Sequence, residues 1–204
     1  MRGADLSVTV IQDSASRATV QRSSGHTLEM GKKLRRDERR TVRFLTFSCY
    51  KREQLLGQAN QRDEFADALA AARTRRGFAL IAWVAMPEHV HLVLVPAIGD
   101  TVPSILQSIK QPIARRALAR WRELDAPVLE RIRHGSGHRF WQAGGGFDRN
   151  IRDSGELQRA VVYCHHNPVA RGLCDRETDW KWSSAAWYAG DRSGAVEIDP
   201  VPYA

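Results

Sequence analysis

From Val42 onward the apolar positions fall into two rhythms, alternation and three-to-four spacing, while residues before it follow neither. Val42 to Tyr50 is β-branched and aromatic, which predicts a strand. Glu64 to Arg75 carries Phe65, Ala68, Leu69 and Ala72 at helical spacing. Phe78 to Ala85 and His89 to Val95 are short apolar runs around Met86-Pro87-Glu88, the pattern of a hairpin. Thr101 to Leu124 predicts a second helix, capped by Thr101, with Ile105, Ile109, Ile113 and Ala117 on one face. Pro112 is expected to kink or interrupt it. A third helix is expected to start near Asp153, where Glu156 completes a capping box, and to end at about Asn167, limited by Pro168. Strand, helix, hairpin, helix, loop, helix is the order of an α+β fold: an antiparallel sheet flanked by helices.

The remaining segments divide the chain. Residues 1–29 are polar and lack periodicity, so they bury too little apolar surface to offset ordering entropy and read as a mobile N-terminal tail. Residues 30–41 form a basic lead-in around Lys32-Lys33-Leu34-Arg35-Arg36, either a solvated run or an arm that contacts phosphates. Met30 stands as an alternative start of translation. A single domain is expected over 42–190 and a C-terminal tail over 191–204.

Charge adds a preference for polyanions. The chain of 204 residues carries 31 Lys plus Arg against 23 Asp plus Glu, a formal net charge of +8. Such a surplus suits nucleic acid, since neutralised phosphates release counterions, but it does not by itself select a partner. No apolar run has the length of a membrane span, and Cys49, Cys164 and Cys174 have no metal-site spacing. The expectation is a cytoplasmic protein with reduced thiols.

Two stretches carry candidate chemistry. In Met86-Pro87-Glu88-His89-Val90-His91-Leu92, strand alternation puts His89 and His91 on one side, half of a divalent-metal site. Taken alone, a His-x-His is more often a pair of hydrogen-bonded residues, because two ligands do not define a site. In the third helix, Leu157, Ala160, Val161 and Cys164 form an apolar stripe, with Tyr163 and Asn167 one turn apart at its edge and Arg159 a turn earlier. A phenol there is a possible nucleophile and the Asn167 amide oxygen a possible hard ligand. His165 and His166 compete with Asn167, and spacing does not rank them.

Together these stretches resemble the REP-associated tyrosine transposases, a branch of the single-tyrosine HUH transposases. The likeness runs from about Arg43 to Tyr188. It rests on Met86-Pro87-Glu88-His89-Val90-His91-Leu92, Phe140-Trp141-Gln142 with Phe147-Asp148-Arg149, Tyr163-x-x-x-Asn167-Pro168-Val169 with Gly172-Leu173, and Trp182-Ser183-Ser184, in that order. The resemblance implies a ferredoxin-like sandwich, with His89 and His91 as the two HUH histidines, Tyr163 as the nucleophile and Asn167 as the third ligand. It implies Mg²⁺ or Mn²⁺ and cleavage and rejoining of single-stranded DNA at hairpin-forming palindromic repeats through a 5′-phosphotyrosine. Two imidazoles and an amide would suit Mn²⁺ at least as well as Mg²⁺. The implied setting is bacterial and nucleoid-associated, as a monomer or homodimer.

A hairpin-binding regulator without catalysis is the alternative from another class. The run Gly144-Gly145-Gly146 departs from the family pattern and suggests a loosened loop. Lys110, Arg115, Arg116, Arg139, Arg149 and Arg159 are candidate DNA contacts. Trp141, Trp180, Trp182 and Trp187, next to basic residues, either stack on bases or fill the core.

Overall fold

The structure, a computed structural model, describes residues 41–144 and 146–200. The N-terminal tail expected over 1–29 and all but the last residue of the basic lead-in lie outside the described residues. In chain order the elements are β1 (Arg43–Ser48), α1 (Ala59–Arg76), β2 (Ala79–Ala85), β3 (His89–Val95), α2 (Val102–Glu123), α3 (Val128–Arg131), β4 (Arg133–His134), β5 (Gly137–His138), β6 (Phe147–Asn150), α4 (Ser154–Ala170) and α5 (Ala185–Tyr188).

β2, β3, β1 and β6 pair in that order into one antiparallel sheet. Alternation assigns its two faces. Leu45, Phe47 and Cys49 join Val90, Leu92 and Leu94 in a cluster that includes Phe65, Leu69, Ile105, Ile109 and Ile113, the inner sides of α1 and α2. Phe44 joins Val93 and Val95 on the opposite face, with Leu157, Ala160, Val161 and Cys164 of α4. The α+β sandwich expected from the pattern is therefore present, and each expected apolar stripe is the one that is buried.

Both helix prolines are accommodated, contrary to expectation. α2 runs unbroken through Pro112. Proline cannot donate to the carbonyl four residues back, and that carbonyl, of Ser108, instead accepts from Arg75 Nη2 of α1 at 3.3 Å. α4 continues past Asn167 to Ala170 with Pro168 inside it. Its end is set by Gly172, which is left-handed at φ 64°. Gly172 N–H donates to Val169 O and Leu173 N–H to Pro168 O, both at 2.9 Å, the paired bonds of a Schellman cap. α1 also starts earlier than its apolar stripe, because Gln58 N–H is taken by the Gln61 side-chain oxygen at 3.1 Å.

Two segments expected to be irregular are built in. The chain enters β6 through Gly146, at φ 72°, where an added Cβ would lie 1.9 Å from Thr46 O. A side chain at this position would collide with the Thr46 carbonyl, so Gly146 meets a packing requirement. Part of the expected C-terminal tail, residues 196–199, also docks. Val196 and Ile198 are buried, and Asp199 exchanges bonds with Leu80 of β2 at 2.7 and 2.8 Å. Arg73 of α1 grips the Asp199 carboxylate with two nitrogens at 2.9 and 2.7 Å. Together with Trp182 and Ser184, which bond Ala85 and Trp83, this segment covers the free edge of β2.

α4 is pinned from below by His165, a buried ring whose Nε2 lies 2.8 Å from Ser184 Oγ. Burial pushes its pKa down to about 4. The unfolded chain therefore binds a proton first on acidification, and the stability carried by neutral His165 is complete above about pH 6.5 and lost as pH falls toward 4. On the order of 3 kcal/mol is at stake. The melting temperature is expected to fall across that window, and His165→Gln to flatten the fall in scanning calorimetry.

Candidate active site

The stripe that seats α4 on the sheet leaves the adjacent row, Arg159, Tyr163, His166, Asn167 and Ala170, facing a cleft of about 1020 Å³. His89 and His91 enter the same cleft from β3, and Phe44 and Thr46 from β1, since their positions in the strands share the α4 face. His89 Nε2 and His91 Nε2 are 3.0 Å apart. Asn167 Nδ2 lies 3.3 Å from His91 Nε2. The Tyr163 ring stands edge-on to His91, centroids 5.1 Å apart, and to Phe44 at 5.9 Å. Phe44 in turn stacks on His91 at 5.6 Å, so the three rings form one cluster. Tyr163 remains 52% exposed, anchored by two rings and open to solvent.

A buried carboxylate organises the histidines. Glu88 Oε1 accepts from His89 Nδ1 at 3.1 Å, from Arg171 at 2.9 Å and from Arg52 at 3.3 Å. Burial alone would raise the Glu88 pKa, but His89 and Arg171 outweigh it and hold the carboxyl below its usual range. An ionised carboxylate only accepts, so His89 must carry its proton on Nδ1 and present the Nε2 lone pair to the cleft. His91 Nδ1 faces the Thr46 hydroxyl at 2.7 Å. A hydroxyl can donate or accept, so it serves either tautomer of His91. With the hydroxyl donating, His91 Nε2–H bonds the His89 lone pair; with it accepting, both Nε2 lone pairs face one point. Burial favours neutral rings: it pushes His91 down to about 3 and lowers His89, against the pull of Glu88.

These three side chains fit a divalent cation. Two imidazole nitrogens held by outer partners converge, and turning the Asn167 carboxamide over brings its oxygen to the same point. Among the described residues no cluster of three His, Cys, Asp or Glu side chains is placed to hold a metal ion; a cation bound by the two histidines would have the Asn167 amide beside it as a possible third donor. His165 does not compete, because it is buried under α4 against Ser184. His166 lines the cleft, nearly one turn from Tyr163, with Nδ1 3.2 Å from Glu177.

The candidate DNA contacts separate. Arg159 lines the cleft, and Arg149 on β6 pairs opposite Phe44, hence on the same sheet face. Lys110, Arg115 and Arg116 are on α2, across the sheet from the histidines. Lys110 is not on a solvated face: its ammonium packs over Phe47 and Trp141 at 5.3 and 5.7 Å, and burial lowers its pKa. Arg116 reaches back to Glu64 O of α1, and Arg139 is half-buried. Two of the candidate stacking tryptophans, Trp141 and Trp180, belong to the core, and Trp182 and Trp187 pack against it partly buried. Arg62 lies over Trp180 and Trp182 at 4.9 and 3.9 Å.

The family model described as Transposase IS200 like matches residues 40–145, just over half of the chain. The chain belongs to this transposase family. The match spans β1, the histidine strand and α2, and ends before β6 and the helix that carries Tyr163 and Asn167. Among curated relatives, this IS200-like transposase is 27% identical over 140 residues to a REP-associated tyrosine transposase of Escherichia coli (strain K12), covering 66% of this chain and 69% of the relative. It is 25% identical over 124 residues to a Haemophilus influenzae protein assigned to the same REP-associated group, covering 60% and 67%. Its fold is similar to that of a solved REP-associated tyrosine transposase bound to a REP hairpin, with a TM-score of 0.56 at 22% identity, over 79% of this chain and 87% of that one.

Sequence reasoning missed Glu88, Thr46, Arg52, Arg171 and Phe44. Glu88 had a signal, since it directly precedes His89 and a charged residue there had to be buried or exposed with the strand. Thr46 had none, because its place beside His91 is a matter of strand register.

Proposed function

We propose that this transposase cleaves and rejoins single-stranded DNA near hairpin-forming repeats, with Tyr163 as nucleophile and His89, His91 and Asn167 as ligands of Mg²⁺ or Mn²⁺. The observation that carries it is a half-exposed phenol set against His91, with Asn167 Oδ1 and two imidazole nitrogens able to meet at one point beside it. A cation held there would withdraw charge from the non-bridging oxygens of a phosphodiester. Tyr163 Oη attacks phosphorus as its proton leaves; the new Oη–P bond forms, the P–O3′ bond breaks, and the 3′ oxygen takes up a proton. The 5′-phosphotyrosine keeps the energy of the broken bond, so a 3′-hydroxyl can reverse the step without ATP. His166, exposed and on the Tyr163 face of α4, is the side chain best placed to receive the phenolic proton. Support for hairpin DNA comes from the bound REP hairpin of the relative with this fold.

The test is incubation with hairpin oligonucleotides bearing single-stranded flanks, with Mn²⁺ or Mg²⁺, read on a denaturing gel. A covalent protein–DNA adduct that chelation removes is expected. Tight binding without adduct on any flank would instead make the protein a hairpin-binding regulator.

Glu88 is expected to matter without touching DNA chemistry directly. Glu88→Gln leaves an oxygen for His89 Nδ1 but removes the charge that holds its tautomer. Mn²⁺ affinity is expected to fall about 10- to 100-fold by calorimetric titration. Equal affinity in both proteins would remove Glu88 from the metal site's support.

A further inference from the structure

We infer that Arg52 and Arg171 form a second phosphate subsite, next to the reacting centre, that holds the neighbouring phosphodiester of a bound single strand. This rests on the proposed reading of the cleft as a DNA site. Both side chains line the cleft and both meet the same oxygen, Glu88 Oε1. One carboxylate cannot neutralise two guanidiniums, so the trio carries a net positive charge, the complement of one phosphodiester. Each guanidinium spends one nitrogen on Glu88 and has further N–H groups for an anion. Glu88 itself is sequestered at 5% exposure, while Arg52 and Arg171 are 61% and 48% exposed. The arrangement anchors the arginines from beneath and leaves their outer sides to the cleft.

The backbone is shaped to deliver both. Lys51 and Arg52 are consecutive non-glycine residues in the left-handed region, at φ 53° and 56°, a conformation disfavoured by the Cβ. Two backbone bonds hold the loop there: Cys49 N–H to Glu88 O at 2.8 Å and Leu56 N–H to Pro87 O at 2.9 Å. The loop after β1 is thus stapled to the turn that carries Glu88. Arg171 caps the C-terminal end of α4 immediately before Gly172, where the helix dipole favours a cation. Because His89 occupies the same carboxylate oxygen through Nδ1, the subsite is one imidazole ring from the Nε2 that meets His91, the ring that contacts Tyr163 and Asn167. A phosphate bound there would fix the register of the strand for attack by Tyr163.

The experiment measures binding of a fluorescein-labelled oligothymidylate by anisotropy as sodium chloride is raised, in EDTA so that no metal contributes. Each lost phosphate contact on a single strand should reduce the slope of log K against log salt by about 0.7. Arg52→Gln and Arg171→Gln each cancel the net charge of the trio and are each expected to lose about that amount, and the double variant no more than about 0.7, because the two arginines share one phosphate. Arg171→Lys, which keeps the charge, should retain the slope. Arg75→Gln, on the other face of the sheet, should also retain it, and thermal melts check that every variant is folded. Unchanged slopes in the Arg52 and Arg171 variants, an equal loss in Arg75→Gln, or no salt-dependent binding by the wild type would each overturn the subsite. Wild-type binding with the expected slopes but no covalent adduct would sink the cleavage chemistry and leave the subsite standing. Adduct formation with unchanged slopes would do the reverse.

Discussion

Tyr163→Phe is expected to abolish the covalent adduct and to lower cleavage by at least about three orders of magnitude, while DNA binding changes little. The substitution removes one oxygen, and that oxygen is the atom that would bond to phosphorus. Its ring contacts, with Phe44 and His91, are contacts of the aromatic face and edge that phenylalanine preserves. The side chain is half exposed, so stability should move by no more than about 0.5 kcal/mol. That separation of effects is what makes the result informative: a folded, DNA-binding, cleavage-dead protein. Undiminished adduct in Tyr163→Phe would place the nucleophile elsewhere. Tyr188 is poorly suited to that role, since its hydroxyl already donates to Ile81 O at 3.0 Å and burial raises its pKa.

The second large effect concerns the cation. A ligand that binds only the folded state stabilises it by about 2.7 kcal/mol at a hundredfold excess over Kd. For a domain of this size that corresponds to a rise in melting temperature of about 5–10 °C. Mn²⁺ is expected to produce such a rise in the wild type and none in His91→Ala. His91 sits at the centre of the arrangement, within 3.0 Å of His89 Nε2 and 3.3 Å of Asn167 Nδ2, so no pair of the remaining donors replaces it. Asn167→Ala should retain a smaller rise, because two imidazoles on one strand still form half a site. His91→Ala also removes packing against Phe44, so the quantity to compare is the shift between EDTA and Mn²⁺ for each protein. An equal shift in wild type and His91→Ala would show that the cation binds at some other place.

Much of this site could be read before folding because its parts lie on regular elements. His89 and His91 share a face by strand alternation, and Tyr163 and Asn167 share one by helical spacing, whatever surrounds them. The supporting residues belong to a different class. Thr46 meets His91 across 45 residues of chain and Arg52 meets Glu88 across 36, through strand register and loop stapling that no local pattern encodes. The prolines show the same limit from the other side. Pro112 disrupts a helix in isolation, yet Arg75 from α1 satisfies the carbonyl it leaves open. The aromatic-basic clusters near Trp180 and Trp182 looked capable of stacking on bases, but only their packing around Arg62 and over the α4 face showed Trp180 to be core and Trp182 to pack against it.

What the amino-acid order determined by itself was the set of elements and their buried stripes, and the two pairs of chemical groups carried on single elements. These depend on periodicity within a few residues, and local geometry is enough to decide them. Only the tertiary structure decided that the two pairs face each other across one cleft. It also decided that Gly146 is required by the carbonyl of Thr46, that residues 196–199 close the edge of β2, and that Glu88 binds a histidine and two arginines at once. Those outcomes depend on which strands become neighbours, and contacts between residues distant along the chain are formed by the packing of the whole sheet rather than by any segment of it.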